Sequence, residues 1–533
     1  MKTYYSSLKP ALLRGITPAE NPNIGFPGLR LCNDLYVQPL CLRNPRTVAQ
    51  AVTGVAAAEA LWPQLFVGES VTILAYETLL YVVTAGAISD PMTIYDVDLE
   101  TEKELPSGTN EPWHFVDFGY TWLLVKPDVI VFRANLHGLL ADHENKVVAV
   151  TSPTMSTACA HRGRMISAGF DKANFWSDGA TTIWNDLWNT YYPNNPAGFE
   201  VASMLPTHID QNFVMWSTIG GGDILYPFFP ILALQGMDAL SSAFTDVFPF
   251  LDHTKRNERG WMPLESQGEV LVLKPLGKNV VAYSSDAVTL LVQVADPVPT
   301  FGKQTLMKIG VPSRGAVGGN DSVHLFFDTS GTLWKLTAEG LQQLGYKDYF
   351  AGVTDFSIAD EIRINYDEQH DDFYINLEVA VPHLHVLSPQ GLSSSPNYNS
   401  FLPSAAYSSG ALAGVALGNS VNAGISILTE WFDLGYSRYK KLTELRLDGV
   451  IPADAALTWY VYAIDAEGTQ QAFSRAVTGN ANFLLSIQGE KFSVGLSIVT
   501  ATTNAVQIDD IVVGYQISDL RFTRGVNVGA AFR

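Results

Sequence analysis

Apolar and polar residues alternate with a period of two in short runs between about Phe66 and Val379, for example over 70–84, 113–134 and 268–294. Turn signals rich in Gly, Asp, Asn and Ser separate the runs, so each unit predicts a strand, a tight turn and another strand. Short sheets that recur about every 40 to 50 residues are typical of a β-propeller. The pattern predicts a mainly β chain, with a β-propeller of about six or seven irregular blades over 66–387. A tandem of β-sandwiches is the alternative.

The segments before and within this region have a different pattern. Residues 1–65 are irregular and Pro-rich, which predicts an N-terminal docking segment. Within it, Asn44 can cap a helix and Pro45 suits a first helical position, so an Ala-rich helix is predicted over 46–61. An aromatic, Pro-punctuated stretch at about 224–259 predicts an insertion in the propeller.

The composition changes again after residue 387. Residues 388–424 consist mostly of Ser, Gly, Ala, Pro and Asn, which predicts a linker. Alternation with a period of two then returns, with DG, EG and GE turns between the runs. Residues 425–533 are therefore predicted to form a C-terminal β-sandwich or jelly-roll-like domain.

Charged residues are scarce in this chain, and acidic residues outnumber basic ones. Charged residues make up 16% of the sequence, and 33 basic against 53 acidic residues give a net charge of −20. An average soluble protein carries about 25% charged residues. Such a chain repels phosphate backbones, which excludes a protein that coats DNA.

Hydropathy and cysteine content restrict the cellular context. The longest apolar run, 224–234, contains two prolines and is too short for a membrane-spanning helix, which needs about 20 residues. The N-terminal residues lack the apolar region of a secretory signal. Cys32, Cys41 and Cys159 do not form a disulfide framework, so we expect free thiols in a reducing cytoplasm.

Sequence motifs of catalysis and metal binding are missing or incomplete. Neither a phosphate-binding loop, a GxSxG elbow nor an HExxH helix occurs. The start Asp96-x-Asp98-x-Glu100 resembles a calcium loop, but Thr101 and Ser107 stand where that loop needs Gly and Glu. We therefore predict no catalytic residue, no cofactor and no metal site.

Two histidines are a second candidate for metal binding. His383 and His385 would share one face of a strand, as in some metal sites. No third ligand can be named, so both are expected to face solvent.

A cluster of carboxylates and indoles keeps an alternative function open. Propeller glycosidases use paired carboxylates, and indole rings stack on sugars. The candidate residues are Asp171, Asp178 and Asp186, with Trp176, Trp184 and Trp188. They could also belong to a structural strand and turn. Two small basic groups, 255–259 and 438–441, are expected to pair with acidic neighbours or a partner surface.

Four segments, 163–188, 257–291, 308–346 and 431–449, carry a resemblance to a known family. They contain a Trp-Ser-Asp turn followed by a further Trp, a Ser-Arg-Gly-Ala-Val-Gly-Gly loop at 313–319, and the pattern Asp-x-x-Gly-x-Leu-Trp at 328–334. The chain resembles the β-propeller tail nozzle or hub proteins of short-tailed bacteriophages, also described as tail tubular or packaged-DNA-stabilising proteins.

The resemblance implies a virion structural protein without enzymatic activity, assembled in the host cytoplasm as a homohexameric ring of the tail. Such a ring extends the DNA channel below the adaptor, retains packaged DNA and allows its ejection. Expected partners are other copies of the chain, adaptor or portal-side proteins, and tail fibre or needle proteins, with only weak contact to passing DNA. The acidic turn with Asp96, Asp98, Glu100 and Glu102 is expected to face the channel or solvent. Alternatives are a glycan-binding protein or depolymerase on the virion surface, and a scaffold propeller unrelated to phage.

Overall fold

A computed structural model describes a mainly β chain. The residues that it describes are 2–17, 28–43, 50–52, 64–68, 71–76, 79–84, 87–96, 112–117, 122–127, 129–133, 147–150, 155–170, 211–216, 260–294, 301–352, 362–368, 370–377, 384–395, 401–408, 411–416, 424–435, 439–478, 482–500 and 506–517. Its helices are short: two α-helices, Lys9–Leu12 and Lys347–Ala351, and a 3-10 turn at Arg314–Ala316. The predicted mainly β class is confirmed.

Small, largely antiparallel sheets follow one another along the first three quarters of the chain. Sheet A comprises Gln64–Val67, Thr72–Tyr76, Leu79–Thr84 and Ala87–Pro91. Sheet B comprises His114–Asp117, Trp122–Lys126, Val129–Arg133 and Val147–Val150, with Ile94–Asp96 added in parallel at its outer edge. Sheet C comprises Met155–His161, Arg164–Phe170, Phe213–Trp216 and Gly260–Pro263.

Four more sheets continue the series. Sheet D comprises Val270–Leu276, Asn279–Ser284, Val288–Gln293 and Phe301–Met307. Sheet E comprises Val317–Gly319, Val323–Phe327, Leu333–Thr337 and Gly340–Gly345. Sheet F comprises Arg363–Asp367, Asp372–Asn376, Leu384–Leu387 and Leu392–Ser395. Sheet G comprises Phe401–Ser408, Ala411–Ala416 and Gln50–Val52.

The strand named first for each sheet above is called here its inner strand. Each inner strand, or a residue next to it, contacts the inner strands of the two neighbouring sheets. The side-chain oxygen of Gln64 in sheet A accepts a hydrogen bond from the Trp113 backbone N–H beside sheet B, at 2.8 Å. Contacts continue from sheet B through sheets C and D, and from sheet E through sheets F and G back to sheet A. Lys274 joins sheets D and E by donating to the Gly319 carbonyl, at 3.3 Å. In the described residues the inner strands thus form a closed cycle.

Two sequence predictions are wrong in sheets F and G. Residues 388–424 were predicted as a linker, but they contain the strands Leu392–Ser395, Phe401–Ser408 and Ala411–Ala416. The predicted helix 46–61 is wrong at Gln50–Val52, which pair in parallel with Ala413–Val415, while the rest of that range lies outside the described residues. Pairing with a distant strand overrides local helix propensity here.

Serines in sheet F show why a Ser-rich composition did not produce a loop. Ser393 and Ser394 are 1% exposed. The Ser393 hydroxyl donates to the Val386 carbonyl, at 3.3 Å, and the Ser394 hydroxyl donates to Asn33 Oδ1, at 2.5 Å. Because these partners satisfy the hydroxyls inside the sheet, small polar residues can occupy a buried strand.

The C-terminal region contains two sheets that share one apolar core. Sheet H comprises Lys440–Val450, Phe483–Gly489 and Gln507–Ile517, with Tyr36–Val37, Leu42–Arg43 and Tyr4–Ser7 from the N-terminal segment. Sheet I comprises Ile425–Thr429, Lys491–Val499, Ala456–Ile464 and Gln470–Thr478. Alternate residues of both sheets, among them Leu445 and Trp459, are buried in the same cluster.

Strand Leu29–Asn33 joins this core to sheet F. It pairs antiparallel with Ile425–Thr429 and meets Leu392–Ser395 in parallel at Asn33, so sheets F and I form one nine-stranded sheet. The N-terminal segment also contributes to the largest core through Leu8, Leu12, Leu29 and Leu42, none of which is exposed. Residues 2–52 therefore add strands to sheets F, G, H and I, an arrangement called here the N-terminal interlock.

Among the described residues, no helix has the length and apolarity needed to cross a membrane.

Candidate functional site

Most residues that the sequence singled out lie outside the described part of the chain. They are Asp171, Asp178, Asp186, Trp176, Trp184, Trp188, Asp98, Glu100, Glu102, His383, the basic group 255–259 and the insertion 224–259. Asp96 is described as the last residue of strand Ile94–Asp96. The predictions attached to the undescribed residues stay predictions.

His385 was expected to face solvent, and this is wrong. Its side chain is 0% exposed in sheet F, and its Nε2 atom lies 3.1 Å from the Tyr349 hydroxyl. The rings of Tyr349 and Phe350 pack edge-on against the imidazole. His385 is thus a core residue under helix Lys347–Ala351. In the described ranges no three His, Cys, Asp or Glu side chains come together in a way that could hold a metal ion.

The second basic group is partly internal. Lys440 is 0% exposed, and burial lowers the pKa of its ammonium while Asp433 and Glu490 act to raise that pKa. The lysine therefore faces acidic neighbours of its own chain, as the sequence predicted for this group. Arg438 lies outside the described residues.

The three cysteines are free and buried. Burial raises the pKa of the Cys32 and Cys159 thiols to about 12. Because the thiolate is the reactive form, neither of these two side chains is activated for nucleophilic chemistry.

A group of polar side chains stands out where the inner strands of sheets B, C, D and E meet. This central cluster consists of His114, Thr157, Glu269, Lys274 and Arg314. His114, Thr157 and Lys274 lie on inner strands, whereas Glu269 and Arg314 lie just before the inner strands of sheets D and E. Four sheets therefore contribute polar side chains to this region, of which Thr157 and Arg314 are buried and the other three are partly exposed.

Thr157 links three of these sheets through its hydroxyl group. The Leu273 backbone N–H of sheet D donates to Thr157 Oγ1 in sheet C, at 2.9 Å, and His114 Nδ1 of sheet B lies 3.5 Å from the same oxygen. Because a hydroxyl oxygen can accept two hydrogen bonds and donate one, this contact is compatible with either tautomer of the imidazole.

The Nε2 atom of His114 is sealed from solvent, and no described residue forms a hydrogen bond with it. Burial, followed by the charges of Arg314 and Lys274, lowers the pKa of His114 to about 3. The imidazole is therefore neutral at pH 7.

The cationic groups of the cluster differ in how they are compensated. Arg314 is 6% exposed and forms an ion pair with Glu269. Lys274 donates only to the Gly319 carbonyl within the described residues, and burial lowers the pKa of its ammonium. Within the described residues, the cluster thus combines a guanidinium paired with a carboxylate and a part-buried ammonium that donates to a backbone carbonyl.

Glycines allow the inner strands of sheets E and F to approach closely. A Cβ atom on Gly315 would lie 1.9 Å from the Ile362 carbonyl oxygen, and one on Gly318 would lie 2.5 Å from the Ile364 carbonyl oxygen. Any side chain at these positions would collide with backbone. The glycine-rich loop 313–319 is therefore required by packing, and it positions Arg314.

The Asp-x-x-Gly-x-Leu-Trp pattern also has a structural role. One carboxylate oxygen of Asp328 accepts hydrogen bonds from the Ser330 backbone and hydroxyl and from the Thr332 backbone, at 2.7 to 3.0 Å. Its other oxygen accepts from Trp334 Nε1, at 2.8 Å. The aspartate, which is 1% exposed, stabilises the hairpin of sheet E.

His324 lies beside the cluster in a fully satisfied environment. Its Nε2 atom lies 2.8 Å from the Pro275 carbonyl, which can only accept, so Nε2 carries the proton. The Tyr283 hydroxyl donates to Nδ1, also at 2.8 Å. Burial, then the charge of Lys274, lowers the pKa of His324 to about 3.

We expect His324 to make the fold less stable in mild acid. In the unfolded chain His324 binds a proton below its ordinary pKa of 6.5, whereas in the folded chain it binds that proton only near pH 3. Stability is then lost as the pH falls from 6.5 toward 3, and His324 costs about 2 kcal/mol between pH 7 and pH 5. Urea unfolding at both pH values should show a loss about 2 kcal/mol smaller in His324→Gln. Identical losses in both proteins would contradict this assignment.

Sequence reasoning missed the central cluster. Its residues occur singly in apolar runs, and the one local signal is a lysine inside the strand Val270–Leu276, whose other residues are all apolar. A charged residue within such a strand indicates a polar contact with another sheet. The partner residues lie in those other sheets, so the strand's own sequence does not identify them.

Comparison with known proteins gives distant structural similarity and no family. No family model matches the chain, and no curated protein matches it. BamB from Moraxella catarrhalis is 8% identical over 90% of this chain and 100% of its own, with a TM-score of 0.30. The exo-beta-1,3-galactanase Pc1,3Gal43A from Phanerochaete chrysosporium is 9% identical over 79% and 98%, with a TM-score of 0.25. Kluyveromyces lactis Hsv2 is 7% identical over 61% and 82%, with a TM-score of 0.26. Similarities this weak carry no argument about activity.

Proposed function

We propose that this chain is a structural ring component of a short-tailed phage tail, the nozzle or hub through which packaged DNA is retained and then ejected. In this proposal sheets A to G are the blades of a seven-bladed propeller, and sheets H and I form a terminal β-sandwich. The proposal rests on the resemblance of the four sequence segments and on the N-terminal interlock.

The N-terminal interlock is the observation that carries a structural role. Tyr4–Ser7 pairs with Gln507–Ile517, Leu29–Asn33 lies between sheets F and I, and Gln50–Val52 completes sheet G. Pulling the sandwich away from the propeller-like part would break backbone hydrogen bonds in several sheets together. A component that bears load during assembly and ejection benefits from such a connection, whereas a binding module or hydrolase has no evident need for it.

The scarcity of charge supports the same proposal. With 16% charged residues, the chain offers much uncharged surface to neighbouring subunits, and obligate interfaces bury about 2,000 Å² or more. The glycan-directed alternative depends on Asp171, Asp178 and Asp186, which lie outside the described residues.

The proposal is tested by the state of assembly. We expect light scattering of the purified full-length chain with its adaptor protein to give the mass of a hexameric ring, and electron cryo-microscopy of virions to place that ring in the tail. A stable monomer that never enters virions would overturn the proposal.

A further inference from the structure

We propose that the outer face of sheet I, called here the tyrosine face, docks against a second copy of this chain. The inference deepens the proposed function, and it rests on that function only for placing the second copy as the neighbouring subunit of the ring. Three properties of the tyrosine face support the contact: its lack of charge, its two tyrosines and its area.

The tyrosine face consists of the side chains that point away from the core shared with sheet H. Buried residues of sheet I, such as Trp459, alternate along each strand with outward-facing ones. The outward positions are the even-numbered residues of 456–464 and 470–476, the odd-numbered residues of 491–499, and Ser426 and Leu428. The even-numbered residues of 470–476 are exposed, so the face lies at the surface.

The tyrosine face is almost free of charge. Apart from Lys491 at one corner, its positions hold only Ala, Gly, Ser, Thr, Gln, Val, Ile, Leu and Tyr. The outer face of sheet H, on the other side of the same sandwich, differs, because strand Lys440–Val450 presents charged side chains there, namely Lys441, Glu444, Arg446 and Asp448. The cores of protein interfaces are depleted of charged residues, so the composition of the tyrosine face is that of an interface.

Two tyrosines lie in the middle of this face among small residues. Tyr460 lies between Ser474 and Gly495 of the neighbouring strands, and Tyr462 lies in the same way between an alanine and a serine. Both tyrosines are partly exposed, and neither hydroxyl has a hydrogen-bond partner in the described part of the chain. Tyrosine supplies a large and rigid contact area, and adjacent Ser and Gly supply adaptable hydrogen bonding, a combination that antibody binding sites also use. The two tyrosines are therefore suited to anchor a protein surface.

Charge favours a second copy as that protein. At a net charge of −20 two copies repel each other, so their close contact is least costly on a face without carboxylates. A different, basic partner would instead be attracted to the surfaces that carry the carboxylates. The tyrosine face is thus the part of the described surface on which another copy of the same acidic chain can dock.

The area of the tyrosine face is sufficient for such a contact. Its three longest strands have nine residues each. With strands about 4.8 Å apart and residues about 3.4 Å apart, sheet I presents about 500 Å². Two surfaces of this size bury about 1,000 Å² together, which reaches the lower limit of a specific interface.

Sedimentation velocity of the full-length chain alone, over a range of concentrations, tests the proposal. We expect the chain to self-associate, and Ser474→Glu to weaken this association about ten-fold or more, because its carboxylate would be desolvated beside Tyr460. Ser474 is exposed on an edge strand, so the change should leave folding intact. Tyr460→Ala is a second variant, and it should weaken the association to a similar degree by removing an anchor.

Ser486→Glu is the matched control. Ser486 is also an exposed serine on an edge strand, but it lies on the outer face of sheet H. The control should associate like the unaltered chain. Equal association by Ser474→Glu and the unaltered chain would overturn the proposal, and so would an equal loss in the control or an unaltered chain that stays monomeric.

Failure of this contact and failure of the tail role give different results. A chain that associates through the tyrosine face but never enters virions would refute the tail role and support the contact. Virions in which Ser474→Glu forms the ring normally would support the tail role and refute the contact. A monomeric chain that a polysaccharide matrix retains, with retention lost in Tyr460→Ala, would assign the face to a glycan and overturn the proposal.

Discussion

Replacing Leu29 by aspartate is expected to cost about 5 kcal/mol or more, enough to unfold much of the chain. Leu29 is 0% exposed in the strand that joins sheets F and I. The change removes about 1.5 to 3 kcal/mol of apolar burial and places a carboxylate without a partner in the largest core. A typical domain has only about 5 to 15 kcal/mol of stability. Urea unfolding followed by circular dichroism would measure the loss, and limited proteolysis would show whether sheet F opens first.

The control for this prediction is Leu40→Asp. Leu40 belongs to the same N-terminal segment, eleven positions further on, but it is 71% exposed. Its replacement should change stability by about 0.5 kcal/mol or less. If both variants were equally stable, Leu29–Asn33 would not hold the two parts of the chain together.

Gly318→Ala is expected to cost about 3 kcal/mol, a large effect for one methyl group. The added Cβ atom would lie 2.4 Å from Ile364 Cγ2 and 2.5 Å from the Ile364 carbonyl oxygen. The side chain could rotate, but the backbone oxygen belongs to the inner strand of sheet F, so sheets E and F would have to separate.

Gly424→Ala separates this steric effect from the general effect of replacing glycine. A Cβ atom at Gly424 would meet nothing within 4 Å. The change should therefore be neutral or slightly stabilising, since alanine reduces the freedom of the unfolded chain. Thermal unfolding of both variants measures the difference, and an equal loss in both would refute close packing at Gly318.

Local patterns predicted the strands and turns within 70–84, 113–134 and 268–294, where the structure has hairpins of sheets A, B and D. Gly277, in the two-residue turn between Leu276 and Asn279, has φ 58°, which suits a hairpin turn of this length. A run of alternating residues on either side of such a turn determines its own register. The small sheets were therefore recognisable from neighbouring residues alone.

Pairing between distant residues was not predictable in this way. Gln50–Val52 lies in an Ala-rich stretch and pairs with residues 413–415, more than 350 positions away. No pattern within either segment identifies the other. For the same physical reason the Ser-rich strand Leu392–Ser395 was taken as linker, since its hydroxyls are satisfied by Asn33 and by a neighbouring strand.

The central cluster could not be predicted from the sequence for the same reason, because its residues are distant from one another in the chain. His114 and Thr157 are 43 positions apart, and Lys274 meets Gly319 across 45 positions. Each residue alone is an ordinary polar position at a strand. Their chemistry arises because the inner strands converge, which depends on the closure of the whole cycle.

The N-terminal interlock also sets the order in which the protein can be completed during synthesis. Tyr4 pairs with Tyr515, so strand Tyr4–Ser7 cannot pair until strand Gln507–Ile517 has left the ribosome. At about 5 to 20 residues per second, that wait lasts roughly 25 to 100 s. During this time Leu8 and Leu12 lack the part of their core that strand Gln507–Ile517 supplies through Ile508, Ile511 and Val513. The nascent chain should therefore depend on chaperones until this strand has been made.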